Sequence, residues 1–66
     1  NHPPHYKSDS GIESIDVIEG FGLNFRLGNT IKYILRHNKK GKPLEDLKKA
    51  RWYLDREIEK LESKEG

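Results

Sequence analysis

The sequence predicts a small all-α domain of three helices, with an extended N-terminal arm and a long C-terminal helix. Apolar residues recur at helical spacing in three segments. Breaks that contain glycine or proline separate these segments. Two prolines, at positions 3 and 4, prevent a helix at the start of the chain. We therefore divide the 66 residues into an extended arm, residues 1–9, and a helical domain, residues 10–66.

The first helix is predicted over residues 11–19. Ser10 is the expected N-cap, and Glu13, three residues later, completes a capping-box pattern. The apolar positions that follow are Ile12, Ile15 and Ile18. Gly20 and Gly22 end the pattern, as expected for a helix terminus that contains a left-handed residue.

The second helix begins after Asn24, a favourable N-cap residue. Its apolar stripe consists of Leu27, Ile31, Ile34 and Leu35. This spacing places the four side chains along one face of a helix. A basic, glycine-containing loop, residues 37–41, ends the helix.

The third helix is predicted to begin with Pro43, whose missing N–H costs nothing in a first turn. Glu45 and Asp46 complement the positive end of the helix dipole. The predicted core positions are Leu44, Leu47, Leu54, Ile58 and Leu61, with Ala50 and Arg51 in the middle turn. The pattern extends to about residue 63, so the C-terminal half should overhang a single protomer. We therefore predict a homo-oligomer that forms through this helix.

Charge is distributed unevenly along the chain, although the net charge is only +2. Residues 1–23 sum to −3, residues 24–51 to +7 and residues 52–66 to −2. Such a field indicates a partner, here a phosphate-bearing small molecule; the alternative is a solvated face that pairs with the acidic ends. The acidic ends argue against nucleic acid as the partner, and no apolar run is long enough to span a membrane.

One polar face of the second helix is the most specific candidate site. Asn29, Lys32, Tyr33 and Arg36 fall at i, i+3, i+4 and i+7. Lysine supplies a compact charge and arginine a planar fork that matches phosphate oxygens. Asparagine adds directional hydrogen bonds, and tyrosine adds a ring that can stack on a base. This combination predicts a nucleotide or phosphate site, whereas the alternative is an ordinary exposed helix face.

The sequence assigns no metal site and no catalytic residue. Cysteine is absent, which excludes disulfides and thiolate ligands. Glu13 and Asp16 share a face and could hold Mg²⁺, but a second acidic pair on a neighbouring helix is missing. No serine has a recognisable base partner. Whether the protein is an enzyme stays open, and Mg²⁺ enters as a cofactor only if it is a nucleotide kinase.

Several short runs together resemble the SaV-like small-protein domain of bacteriophages. They are His5-Tyr6-Lys7-Ser8, Gly11-Ile12-Glu13, Ile15-Asp16-Val17-Ile18-Glu19, Leu27-Gly28-Asn29, Ile31-Lys32-Tyr33, Leu35-Arg36, Asp46-Leu47-Lys48-Lys49-Ala50 and Trp52-Tyr53-Leu54. The resemblance implies a phage origin and points toward nucleotides, because a larger phage protein that looks to contain this domain is a deoxynucleoside monophosphate kinase. It also implies the site residues, which are His5, Tyr6, Lys7, Asn29, Lys32, Tyr33 and Arg36.

Three functions follow as hypotheses. The first is a nucleotide- or phosphate-binding module that acts in nucleotide metabolism or nucleotide capture during infection. The second is an oligomeric phosphotransferase resembling a deoxynucleoside monophosphate kinase. The third is a non-catalytic protein-interaction module. The absence of cysteine favours a cytoplasmic location, and the resemblance implies the cytoplasm of an infected bacterial host. Because the chain begins with Asn1 rather than methionine, we expect a trimmed chain or a domain of a longer one.

Overall fold

The computed structural model describes residues 11–39 and 41–65. They form three helices: α1 (Ser14–Gly20), α2 (Phe25–Arg36) and α3 (Pro43–Glu65). The predicted all-α class is confirmed, as are the ends of α2 and the long C-terminal helix. The extended arm predicted for residues 1–9 lies outside the described residues.

The start of α1 differs from the prediction by three residues. Glu13, not Ser10, is the N-cap, with an extended backbone at φ −98° and ψ 154°. Its N–H donates to the Asp16 carboxylate at 3.1 Å, so the capping interaction uses the acidic residue one turn later. The prediction of a helix from residue 11 is wrong because Gly11 has φ +85°, a left-handed conformation that a right-handed helix cannot include.

The end of α1 has the hydrogen bonds of a Schellman motif. The Leu23 N–H donates to the Ile18 carbonyl at 3.0 Å, and the Gly22 N–H donates to the Glu19 carbonyl at 3.1 Å. Gly22 has φ +64°, which confirms the predicted left-handed residue at this terminus. Asn24 then caps α2 as predicted, since its side chain accepts from the Leu27 N–H at 2.9 Å.

Helices α2 and α3 form an antiparallel hairpin that polar pairs join at both ends. Near the connecting loop, the Arg36 guanidinium donates to the Asp46 carboxylate at 3.3 Å. At the far end, Arg26 Nε lies 2.6 Å from Glu57 Oε1, and the Asn24 amide donates to the same oxygen at 3.1 Å. These contacts fix which residues of the two helices lie opposite each other.

Helix α1 packs against α2 at a glycine. A Cβ added to Gly28 would lie 3.2 Å from Ile18 Cγ2, closer than ordinary van der Waals contact. A side chain here would therefore push α1 outward, so the absence of one lets the two helices approach closely.

The predicted core stripe of α3 is not buried within the protomer. Among the described residues Ala50 is the one buried apolar side chain, and α3 presents Asp46, Ala50, Tyr53 and Glu57 towards α2. Five predicted core residues of α3, together with one from α2, are instead 41–65% exposed. These six, which we call the apolar face, are Ile34, Leu44, Leu47, Leu54, Ile58 and Leu61. Periodicity identified the apolar side of α3 correctly but not what covers it.

Candidate functional site

Two of the four residues predicted on α2 lie against the aromatic ring of a third. The Lys32 ammonium lies 4.9 Å from the centre of the Tyr33 ring, and the Arg36 guanidinium carbon lies 4.8 Å from it. The fourth residue, Asn29, donates its side-chain amide to the Phe25 carbonyl of its own helix at 2.9 Å. The structure thus brings Lys32, Tyr33 and Arg36 together, while Asn29 is engaged with the backbone.

Two residues of α3 complete this cluster. The ring of Tyr53 stacks on that of Tyr33, with centroids 5.9 Å apart and planes 16° from parallel. The Lys49 ammonium lies 5.5 Å from the centre of the Tyr33 ring. We call Lys32, Tyr33, Arg36, Lys49 and Tyr53 the cationic–aromatic face. Three cations from two helices therefore lie within about 6 Å of one ring, the range of cation–π attraction.

The charges of this face are only partly balanced. Lys49 pairs with Glu45 at 3.4 Å, one helical turn away, in an exposed contact that is worth little. Lys32 makes no ion pair with any part of the chain that the structure describes. The negative π-face of Tyr33 offsets some of the repulsion among the cations. An arriving anion would balance the charge of Lys32, so the arrangement is suited to an oxyanion.

Arg36 has a structural role in addition to its place on this face. Its partner Asp46 is 2% exposed, and the second carboxylate oxygen, Oδ2, has no hydrogen-bond partner among the described residues. A buried carboxylate needs its counter-charge, because an isolated one is strongly disfavoured. Arg36 is therefore held in position by Asp46, and it cannot be removed without affecting the fold.

Two exposed aromatic side chains flank the stacked tyrosines. Phe25 is 73% exposed and meets Tyr53 edge-on, with centroids 6.0 Å apart. Trp52 is 59% exposed and meets Tyr53 edge-on at 5.0 Å. Phe25 offers an exposed ring surface beside the cations. The Arg56 guanidinium carbon lies over the Trp52 ring, 5.9 Å from its centre, so Trp52 offers the part of its ring that Arg56 does not cover. Stacking of a nucleobase requires such ring surfaces. Sequence patterns favour a core or interface position for a tryptophan, but Trp52 is not in the core of the protomer.

Sequence reasoning missed Phe25, Lys49, Trp52 and Tyr53 as members of the site. Lys49 and Tyr53 are spaced i and i+4 on α3, so they share a face. That spacing could have marked them as a pair. Their place opposite Tyr33 depends on how α2 and α3 align, which the polar pairs decide. His5, Tyr6 and Lys7, the other predicted site residues, lie outside the described residues.

A cleft between α1 and α2 adjoins the cationic–aromatic face. It measures about 190 Å³, and Ile18, Leu23 and Phe25 contribute apolar wall, with Asn29 and Lys32 at its polar side. Ligand pockets usually measure about 300–1,000 Å³, so this cleft suits a part of a ligand rather than a whole one. A larger depression of about 540 Å³ is lined by residues of α3 alone. It is open to solvent, so it would not enclose a ligand.

Among residues 11–39 and 41–65, no three histidine, cysteine or acidic side chains are grouped so that they could hold a metal ion. Of the two carboxylates considered for Mg²⁺, that of Asp16 accepts the N–H of Glu13 at the start of α1. Within the described part of the chain, no helix is both long and apolar enough to cross a membrane.

A family model described as "Protein of unknown function (DUF3310)" matches residues 1–55. The chain belongs to this family. The match includes the arm, α1, α2 and the first half of α3, and so every residue of the cationic–aromatic face. No curated protein and no solved structure matches the chain significantly. Membership in DUF3310 agrees with the resemblance to a small domain of unknown function.

Proposed function

We propose that this DUF3310 domain is a phage-encoded binding module for nucleotides or related phosphate compounds. It would act in nucleotide metabolism or nucleotide capture in the cytoplasm of the infected bacterium. One observation carries the proposal: Lys32, Arg36 and Lys49 converge on the Tyr33 ring from two helices. Arg36 and Lys49 already have carboxylate partners, so the three cations leave one unbalanced positive charge, and a phosphate group supplies the anion that Lys32 lacks among the described residues.

The neighbouring rings favour a nucleotide over inorganic phosphate. Phe25 and Trp52 are exposed on either side of Tyr53 and can each receive a base. The cleft between α1 and α2 has an apolar wall and ends at Lys32, which gives a second place for a base beside a phosphate. The resemblance to the phage domain family supports the same ligand class, because a larger phage protein that looks to contain this domain is a deoxynucleoside monophosphate kinase.

Binding without chemistry is favoured over phosphate transfer. A kinase needs a carboxylate to hold Mg²⁺ or to orient the nucleophile. Asp46, the carboxylate bonded to Arg36, is buried at 2% exposure and serves the hairpin. Glu45 is exposed and its contact with Lys49 is weak, which leaves one available carboxylate beside these cations among the described residues. The kinase hypothesis therefore remains second, and the interaction module third.

A calorimetric titration tests the proposal. The wild-type protein is titrated with nucleoside mono-, di- and triphosphates, cyclic nucleotides and inorganic pyrophosphate. The Lys32→Ala variant removes a cation that no described ion pair uses, so it should fold normally. We expect it to weaken binding by about tenfold, the value of one charge-assisted contact.

Lys64→Ala is the matched control, because it removes the same charge from the last turn of α3, at the other end of the helix from Lys49. It should leave affinity within about twofold. Failure of every nucleotide and of pyrophosphate to bind the wild type would overturn the proposal. Equal losses of affinity in both variants would overturn it too, because binding would then be non-specific charge attraction.

Incubation with ATP, Mg²⁺ and deoxynucleoside monophosphates separates the binding module from the kinase. A binding module returns each nucleotide unchanged, whereas a kinase transfers the phosphoryl group.

A further inference from the structure

The apolar face of α3 has the spacing of a coiled-coil strip. Counting from Leu44, the positions 44, 47, 51, 54, 58 and 61 alternate steps of three and four residues. That is the a/d pattern along which two helices pair. Leucine or isoleucine occupies every one of these positions except Arg51, and all five apolar side chains are exposed.

The hairpin does not use this strip. Asp46, Tyr53 and Glu57, which contact α2, each directly precede one of its members, namely Leu47, Leu54 and Ile58. Successive helical residues are about 100° apart, so the strip points sideways from the hairpin rather than into it. Ile34 follows Tyr33 in the same way on α2. Because the two helices are antiparallel, both 100° turns lead to the same side of the hairpin.

We propose that this face binds a second copy of the chain, with the two α3 helices antiparallel and the two-fold axis between residues 51 and 54. In this register every a position meets a d position of the other copy. Leu44 lies opposite the partner's Leu61, and Leu47 lies opposite the partner's Ile58. Arg51 lies opposite the partner's Leu54. The interface is isologous and closed, as in most homodimers.

Charge complementarity selects the antiparallel orientation. The first part of α3, residues 43–51, carries three basic and two acidic side chains, whereas residues 52–65 carry three basic and five acidic ones. Antiparallel pairing therefore sets the basic end of each helix against the acidic end of the other. It also brings Lys48 next to the partner's Asp55, beside the strip, in both halves of the dimer.

Parallel pairing would produce repulsion at two levels. Arg51 would face the partner's Arg51 inside the strip, and Glu57 would approach the partner's Glu62 beside it. The charges in and beside the strip also fit the antiparallel choice, since Lys48, Arg51 and Asp55 form no ion pair with any residue of the described chain. Asp46 and Glu57, the two carboxylates of α3 that face α2, already have partners there.

The proposal is independent of the ligand. Tyr33 and Tyr53 of the cationic–aromatic face lie between the helices, and its lysines, Lys32 and Lys49, directly precede the interhelical residues Tyr33 and Ala50. Members of the apolar face directly follow interhelical residues, as Ile34 follows Tyr33. The two faces therefore point to different sides of the hairpin, and they come nearest at the start of α3, where Leu44 and Lys48 line one depression with Lys49 and Trp52.

Cysteine cross-linking tests the orientation directly, because the natural chain contains no cysteine. Leu44→Cys and Leu61→Cys proteins are mixed and oxidised, and the products are identified by mass. We expect the mixed disulfide between the two variants, with little product from either variant alone. Efficient self-linking of Leu44→Cys would overturn the proposal in favour of a parallel dimer.

Sedimentation equilibrium of charge variants supplies the second arm. Lys48→Glu and Asp55→Lys should each weaken the dimer by about fivefold or more, since each places like charges together twice. The double variant should regain wild-type affinity, because the pair is only exchanged. Phe21→Ser removes an exposed apolar side chain outside the strip, 79% exposed after α1, and should change nothing. A wild-type protein that stays monomeric at all accessible concentrations would overturn the proposal, as would failure of the double variant to regain affinity.

Discussion

On each helix of the α2–α3 hairpin, residues on either side of one tyrosine belong to two different faces. Lys32, Tyr33 and Ile34 are consecutive on α2, and Trp52, Tyr53 and Leu54 are consecutive on α3. The tyrosines stack between the helices. The residues before them contribute to the cationic–aromatic face or lie beside it, and those after them belong to the apolar face. Because a helix turns about 100° per residue, one hairpin can carry two surfaces of contrasting chemistry.

The comparison also shows what holds the hairpin together. In a conventional bundle the apolar stripes of neighbouring helices face each other. Here the interhelical surface consists of Ala50, the stacked tyrosines and the polar pairs Arg36–Asp46 and Arg26–Glu57. The apolar stripes are thereby left for another molecule. The proposed dimer would cover the exposed apolar face, which is larger than the scattered apolar surface of most monomers.

The largest expected effect is loss of the dimer on Leu54→Lys, which also places a second cation opposite the partner's Arg51. Burial of a leucine contributes about 1.5–3 kcal/mol, and the two-fold axis doubles the loss, so the dissociation constant should rise by about 100-fold or more. Sedimentation equilibrium measures this. Ligand affinity should stay unchanged, because Leu54 lies on the other face. A parallel loss of nucleotide binding at equal helix content would show that the two faces are not separate.

Removal of the Arg36 side chain should destabilise the hairpin. Arg36→Met leaves the buried Asp46 carboxylate without its counter-charge, which we expect to lower the free energy of unfolding by about 2–3 kcal/mol in urea titrations. The Arg36→Met/Asp46→Leu protein should regain most of this loss, since neither charge then remains buried. If the single variant unfolds like the wild type, Arg36 belongs to the ligand site alone.

Replacement of Trp52 tests whether the ligand carries a base that stacks on this ring. Trp52→Ser removes an exposed ring beside the cations, and stacking on such a ring contributes about 1–3 kcal/mol per base. Nucleotide affinity should therefore fall about fivefold or more in calorimetric titrations. Pyrophosphate, which has no base, should bind both proteins equally. Equal losses for both ligands would place the role of Trp52 elsewhere than in stacking.

The smallest effect concerns pH and the far end of the hairpin. The hydrogen bond from Arg26, and after it that from Asn24, lowers the pKa of the Glu57 carboxyl below its ordinary 4.5. A lowered pKa in the folded state stabilises the protein above pH 4.5, and this contribution is lost as the pH falls through the lowered value. The melting temperature of wild type should exceed that of Glu57→Gln above pH 4.5, and the difference should shrink in more acidic solution. A difference independent of pH would contradict an ionic role for Glu57.

Only part of the candidate site could be predicted from the sequence. Lys32, Tyr33 and Arg36 belong to one helix, so their spacing alone predicts that they share a face. Lys49 and Tyr53 join them across the hairpin, and no periodicity reveals which turn of α3 lies beside which turn of α2. The start of α1 was missed for a local reason: both Ser10 and Glu13 fit a capping pattern, and the left-handed Gly11 decides between them.

The sequence by itself determined the three helices, their caps at Asn24 and Gly22, and the apolar side of each, because these depend on neighbours within a few residues. Only the tertiary structure decided which side of α3 meets α2. Amphipathic spacing favours the leucines for that contact, but the pairs of Arg36 with Asp46 and of Arg26 with Glu57 rotate α3 by about one residue. That rotation exposes the leucines and brings Lys49 and Tyr53 to Tyr33. The physical reason is that a helix fixes the angles between its own side chains, whereas contacts distant in sequence fix which of them face a neighbour.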